Sequence, residues 1–457
     1  MNALALAGTE TATRLQCTDP AEIRARVQQA GVVGAGGAGF PTAVKLQAQV
    51  DTFLVNAAEC EPLLKVDQQL IPWQAGRLIR GLGYAMVATG ARQGIIALKA
   101  KYHAAIEALE PLLPDHIRLH ILPDVYPAGD EVITIWQATG RRVPAGELPM
   151  KVGVVVNNVQ TLLNVARAVE QQWPVTRRTL TVNGAVHQPV TLTVPLGMPL
   201  REVLACAGGA TVNDPGFING GPMMGSLLTD LDSPVTKTTG GLLVLPKNHP
   251  LIQRRMRSDR DILAIARTVC EQCRLCTELC PRHIIGHELS PHLLVRAVNY
   301  PQVATPQALA SALTCSECNV CESVACPVDI SPMRVNKLLK QQLRAAGMRY
   351  QGELHGEDPL ANYRLVPIQR LIQKLQLTEW YHPAPLHYEE PQPQQVTLLL
   401  RQHIGSPASA CVQEGEQVER GQCIAQVPEG ALGAPVHASI SGTVQQVTPQ
   451  AITLLRG

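Results

Sequence analysis

Cys270-Glu-Gln-Cys273-Arg-Leu-Cys276-Thr-Glu-Leu-Cys280-Pro281 is followed, after 33 residues, by Cys315-Ser-Glu-Cys318-Asn-Val-Cys321-Glu-Ser-Val-Ala-Cys326-Pro327. Three cysteines spaced by two residues can wrap a loop around one face of an iron–sulfur cubane, while a fourth, followed by proline, arrives from elsewhere. The spacing points to two [4Fe–4S] clusters. In such double runs the fourth cysteine serves the other cluster, which puts Cys270, Cys273, Cys276 and Cys326 in one set and Cys280, Cys315, Cys318 and Cys321 in the other. The second run carries four residues before its last cysteine where three are usual, so that turn has to bulge by one residue. Four-cysteine zinc sites and disulfides are the alternatives. Zinc sites usually pair two distant C-x2-C units, and disulfides belong to exported chains.

At 457 residues the chain is too long for one ordinary core, and three or four domains are expected. The net charge of +2, with no basic run, gives no reason to expect nucleic acid. The apolar runs are too short to span a membrane. The start, MNALALAGTETATRLQ, lacks the charged and long apolar stretches of a secretory signal, so a reducing, cytoplasmic setting is expected. Aromatic residues make up only 3% of the chain, which leaves the cores to aliphatic side chains.

Residues 1–20 read as a loosely ordered arm, followed by a helix from about Pro20 to Ala30. Then comes Gly34-Ala-Gly36-Gly37-Ala-Gly39-Phe40-Pro41, in which four glycines in six residues remove the side chains that would hold a ligand off the backbone. A helix starting near Pro41 would aim free N–H groups at an anion. Phe53 to Ala58 reads as a buried strand ending in Glu59-Cys60-Glu61-Pro62, two carboxylates at the edge where α/β proteins bind ligands. Strand-like runs follow at 85–99, 118–125 and 152–158.

Gly34-x-Gly36-Gly37-Ala38-Gly39-Phe40-Pro41-Thr42 with Lys45, Asn56-Ala57-x-Glu59-x-Glu61-Pro62, Tyr126-x-x-Gly129-x-Glu131 and Val156-Asn157-Asn158-Val159-x-Thr161 together resemble the FMN- and NADH-binding motifs of the complex I flavoprotein family. The resemblance implies that the glycine loop holds FMN and shapes the NADH pocket, with Lys45, Glu59 and Glu61 lining it and Asn157 and Asn158 beside the flavin. Cys60 stands where that family has serine, and Asp130 replaces a usual glutamate.

From Arg178 to Leu245 the pattern has period two. Thr179 to Val182 and Val190 to Val194 read as strands, with Asn183-Gly184 as a hairpin signal, and a helix is expected from Leu200 to about Cys206. This stretch resembles the soluble-ligand-binding β-grasp (SLBB) module of the same flavoprotein family, with packing its expected role. Ser331 to Gly347 reads as an amphipathic helix, and residues 350–395, rich in Pro, Gln and His, as an extended linker. The tail resembles a biotinyl/lipoyl-type barrel-sandwich. Its tip, Pro428-Glu-Gly-Ala431, has no lysine to modify, and none follows Lys374, so a structural scaffold separable from the flavin site is expected.

The expected architecture is α/β and multidomain: an arm (1–20), an FMN/NADH domain (21–175), an SLBB-like β-grasp domain (176–250), a helical two-cluster ferredoxin domain (251–350), a linker (351–395) and a barrel-sandwich (396–457). The ensemble is similar to the RnfC family, in which the barrel-sandwich precedes the flavin domain. Here it comes last, an order similar to the cobalamin-reductase family of propanediol-utilising microcompartments. That resemblance implies NADH as co-substrate, FMN and two [4Fe–4S] clusters as cofactors, no catalytic side chain, a corrinoid substrate reduced from cob(III)alamin towards cob(I)alamin for adenosylcobalamin recycling, an adenosyltransferase and a shell protein as partners, and a location inside a microcompartment. The alternative is an RnfC-like electron-transfer protein passing electrons to a protein partner. No Asp-x-His-x-x-Gly corrinoid signature is present, so corrinoid binding rests on the resemblance.

Overall fold

The structure is a computed structural model describing residues 14–298, 300–350 and 352–457, so residues 1–13 of the expected arm lie outside it. Helix α1 (Pro20–Gln29) begins at Asp19, whose carboxylate accepts from the Ala21 amide at 2.9 Å. The glycine loop then leads into a single turn, α2 (Thr42–Lys45). Strand β1 (Thr52–Ala57) pairs in parallel with β2 (Gln93–Lys99). Strand β3 (Ile117–Leu122) extends the sheet beyond β2. A short β4 (Val125–Tyr126) follows, and β5 (Val154–Asn158) closes the sheet on the other side of β1. The crossovers are helical: α3 (Val66–Thr89), α4 (His103–Leu109) and α5 (Glu131–Thr139), with α6 (Val159–Gln171) after β5.

Residues 85–89, expected in a strand, form the last turn of α3, which runs on to the left-handed Gly90. Aliphatic burial decides this: Ala85, Met86 and Ala88 lie on the buried face of a long helix, and the strand starts only at Gln93.

Strands β6 (Arg177–Gly184) and β7 (Val190–Pro195) are antiparallel, with α7 (Leu200–Cys206) where the sequence placed it. Strands β8 (Pro215–Asn219), β9 (Ser226–Leu228) and β10 (Gly241–Pro246) complete the mixed β-grasp sheet, with β10 running parallel to β6. Asn183-Gly184 is not the turn. Asn183 is a buried strand residue whose Nδ2 donates to Leu63 O at 3.0 Å and His382 O at 3.2 Å, and the chain reverses after it.

The cysteine-bearing region is built of short helices, among them Asp259–Thr268, Pro291–Ala297 and Pro332–Ala345. Residues 352–395 are not an extended linker but a strap. Val366–Pro367 pairs with β4, and Leu386–His387 adds a parallel edge strand to β7. Between them Ile368, Leu371, Ile372 and Leu375 occupy helical spacing and, with Leu377 beyond the helix end, are buried against Tyr126, Ile218 and Cys318. Composition hid this stripe among prolines and glutamines. The tail folds as two small sheets, one holding Gln395–Leu399, Gln417–Val418, Gly442–Val447 and Ala451–Arg456, the other Ser409–Ala410, Cys423–Gln426 and Val436–His437. Its core is continuous with that of the flavin-type domain. Among the described residues no helix is long and apolar enough to cross a membrane.

Candidate functional site

The two cysteine runs adopt the same backbone path. Gln272 and Arg274 in the first, and Glu317 and Asn319 in the second, all take positive φ, so each loop curls and turns its three thiols inward. The four-residue spacer before Cys326 is absorbed by a π-helical turn over Cys321–Ala325, the bulge that the spacing required. Cys270, Cys273, Cys276 and Cys326 line one hollow, and Cys280, Cys315, Cys318 and Cys321 line a second. The fold therefore brings the fourth cysteine of each run to the hollow of the other.

None of these cysteines is in a disulfide. Among the described residues no three His, Cys, Asp or Glu side chains converge as they would on a single metal ion. Thiolates on a cubane each bind a different iron and need not converge on one point, so four cysteines around each hollow fit a cluster better than zinc. Burial, reinforced by Cys273, Cys326 and Cys270, pushes the Cys276 thiol up to about 12, and burial does the same to Cys280. Such thiols ionise only when a cation takes up the charge. Amides already point at the sulfurs: Ile330 N–H at Cys326 Sγ (3.3 Å) and Glu317 N–H at Cys315 Sγ (3.4 Å).

The hollows differ in exposure. All four cysteines of the second are buried, whereas Cys273 of the first is exposed and its three companions half-buried. The second hollow also abuts the flavin-type domain. Tyr126, fully buried, donates from its hydroxyl to Cys318 O at 2.8 Å. Asn319 Nδ2 donates to Met223 O of the β-grasp domain, and Arg282, two residues beyond Cys280, forms a 2.9 Å partly buried ion pair with Asp130.

In the glycine loop a Cβ at Gly36 or Gly37 would meet no protein atom within 4 Å, and Gly37 has φ +63°. The loop thus offers bare backbone to open space, a cradle that a side chain would fill. Thr161 Oγ1 accepts from Ala35 N–H at 2.9 Å and Arg178 donates to Ala35 O at 2.7 Å, fixing the loop from two domains. The tail grips it as well: Ile404 N–H donates to Ala38 O at 2.9 Å, and a Cβ at Gly39 would stand 3.1 Å from His403 Cβ. The tail is therefore not separable from this loop, contrary to the sequence expectation. Asn157 is buried, and its Nδ2 has no hydrogen-bond partner among the described residues. A buried orphaned donor at the end of β5 and an open glycine cradle in the same domain both fit a flavin.

Phe40 is exposed at the loop's end, and Lys45 pairs with Glu131 at 2.8 Å. Asn56 Nδ2 donates to Gly129 O at 2.8 Å, and a Cβ at Gly129 would stand 3.0 Å from Cys60 Sγ. Burial pushes the Cys60 thiol up to about 12, so it stays neutral and adds no charge there. Asn158 caps α6 and donates to Asp67 Oδ2 at 2.7 Å. Glu59 accepts from the amides of Asp67 (2.9 Å) and Gln68 (3.3 Å) at the start of α3. Glu61 accepts from Met223 N–H (2.9 Å) and Met224 N–H (2.7 Å), while burial raises its carboxyl. These two carboxylates spend their oxygens on a helix start and a domain junction. Sequence reasoning missed Asp67, which joins Asn158 from a distant helix of the same domain, and Arg178 and Ile404, which no periodicity marks because each acts across domains.

Residues 27–167 match the Nuo51 FMN-binding domain family, 179–226 the SLBB domain, 269–331 the 4Fe-4S dicluster domain and 386–456 the RnfC barrel sandwich hybrid domain. The chain is 73% identical over 439 residues to the cobalamin reductase PduS of Citrobacter freundii, covering 96% of this chain and 97% of that one. It is 73% identical over 436 residues to the same protein of Salmonella typhimurium, covering 95% and 97%. To a component of the Na(+)-translocating ferredoxin:NAD(+) oxidoreductase complex of Acetobacterium woodii it is 37% identical over 277 residues, 59% of this chain and 60% of that one.

Proposed function

The chain belongs to the cobalamin reductase PduS family, and from that premise we propose that it is an NADH-dependent cobalamin reductase with FMN and two [4Fe–4S] clusters as cofactors. FMN, when bound, accepts hydride from NADH and releases electrons singly, and each cluster carries one electron at a time. The chain's own residues do the positioning. Gly36 and Gly37 would admit the flavin to bare backbone, Asn157 Nδ2 would donate to it, and Thr161, Arg178 and Ile404 hold the loop still. Lys45, paired with Glu131, and the exposed Phe40 would line the nucleotide pocket that the family resemblance implies. No side chain is assigned acid–base work, because hydride transfer depends on alignment and distance.

The observation that carries this reading is the pairing of one buried cysteine set, tied to the flavin domain through Tyr126, with a second set open to solvent at Cys273. The open set is where a bulky corrinoid would approach. The substrate is cob(III)alamin, taken towards cob(I)alamin for adenosylcobalamin recycling, with an adenosyltransferase and a shell protein as partners inside a microcompartment. The likeness to the Acetobacterium woodii complex component keeps one alternative, a protein acceptor at the same face.

The test compares NADH-driven reduction of cob(III)alamin and of a small dye, under argon, in wild type and Cys273→Ala. Corrinoid reduction should fall much further than dye reduction. No corrinoid reduction by the wild type would favour the protein acceptor.

A further inference from the structure

Outside the flavin cradle and the cysteine hollows, one small polar cavity lies where α3 and α6 meet β6 and β7, lined by Gln74, Gln160, Asn164, Arg167, Arg177 and Thr179, among others. Among the described residues, its two charged lining side chains are both arginines. Among the described residues, the Arg167 guanidinium donates to neutral amides, Nη1 to Asn164 Oδ1 at 3.2 Å and Nη2 to Gln74 Oε1 at 2.8 Å. Arg177 reaches Glu390 at 3.4 Å, but that carboxylate also serves Arg420 at 2.7 Å. One carboxylate thus serves two guanidiniums, and Arg167 has no ion pair among the described residues. Burial, with Arg177 and Arg77 nearby, lowers the affinity of Arg167 for its proton, as expected where positive charge is concentrated away from water.

The cavity also holds an unused donor. Gln160 is 8% exposed, and its Oε1 accepts from Thr179 N–H at 3.3 Å, while its Nε2 makes no hydrogen bond among the described residues. Thr179 and Thr193 share a hydroxyl contact of 2.8 Å on the cavity wall. Arg178, the residue between Arg177 and Thr179, turns to the glycine loop, so strand alternation separates this cavity from the flavin cradle.

We propose that this junction cavity binds a small phosphate-type oxyanion, gripped by Arg167 and Arg177 with Gln160 as a further donor. Guanidiniums match an oxyanion's geometry, and an anion held there would neutralise the junction between the flavin and β-grasp domains. The anion comes either as free inorganic phosphate or as the phosphoryl end of a nucleotide, and the cavity's small size favours the free ion.

Inorganic phosphate and AMP would be titrated separately into FMN-replete, cluster-replete protein at constant ionic strength, following binding heat and Tm. Wild type should bind phosphate saturably and gain Tm, with AMP at least tenfold weaker. Asn164→Asp places a carboxylate against Arg167 with little change of shape and should weaken phosphate binding at least tenfold, leaving FMN and iron content unchanged. Arg167→Gln should do the same. Tighter binding of AMP than of phosphate would identify the phosphoryl source instead of the free ion. Absence of saturable binding by either, binding indifferent to Asn164→Asp, or loss of FMN together with phosphate binding would overturn the proposal.

Discussion

The Tyr126 hydroxyl donates to the carbonyl of Cys318 at 2.8 Å, joining the end of β4 in the flavin-type domain to the loop that carries the buried cysteine set. Both residues are buried, so neither group has water as a substitute partner. Tyr126→Phe should leave that carbonyl unsatisfied at a cost of about 1–3 kcal/mol. We expect FMN content to hold, iron content to fall in part, and corrinoid reduction to drop more than dye reduction. Full iron content and unchanged activities would show that the bond has no such role.

The exchange of fourth cysteines gives a pattern that spacing without exchange does not. Cys273→Ala and Cys326→Ala should remove the same cluster, and Cys318→Ala and Cys280→Ala the other, as read from anaerobic iron analysis and the paramagnetic signals of the reduced protein. If Cys280→Ala instead matched Cys273→Ala, each run would be closing its own site.

Gly37→Val should abolish FMN binding. The φ of +63° strains a β-branched residue, and its side chain would fill space that is open to a ligand. Iron content should survive, because no cysteine lies on this loop. Stoichiometric flavin in the variant would place the cofactor elsewhere.

Lys237 is buried at the junction of three domains, its Nζ donating to Gly31 O at 2.7 Å and Pro435 O at 2.8 Å. Burial pushes it down from 10.5 to about 7. Between those values the unfolded chain binds the proton that the folded chain releases, so stability rises with pH across that window. The wild-type Tm should climb from pH 7 to 9, and Lys237→Met should climb less and retain FMN less well, having lost both bonds that hold the tail. Equal pH slopes in the two proteins would remove Lys237 from this role.

The cysteine chemistry was legible in the chain because cluster ligation depends on local spacing: C-x2-C-x2-C sets how far a loop can curl, and the extra residue before Cys326 had to become a bulge, here the π-helical turn. The glycine loop was equally legible, since missing side chains are a property of sequence. What Glu59, Glu61 and the tail do was decided only by tertiary structure. A carboxylate at the end of β1 looks the same in sequence whether it faces a ligand, starts α3 or receives the Met223 and Met224 amides, and only the docking of the β-grasp domain selects the last for Glu61. The strap over 352–395 hid its buried Ile368, Leu371 and Ile372 among prolines and glutamines, because burial is conferred by the surfaces that meet it. The grip of Ile404 on Ala38 joins residues from opposite ends of the chain, and its partner is a backbone carbonyl, which has no sequence signature at all.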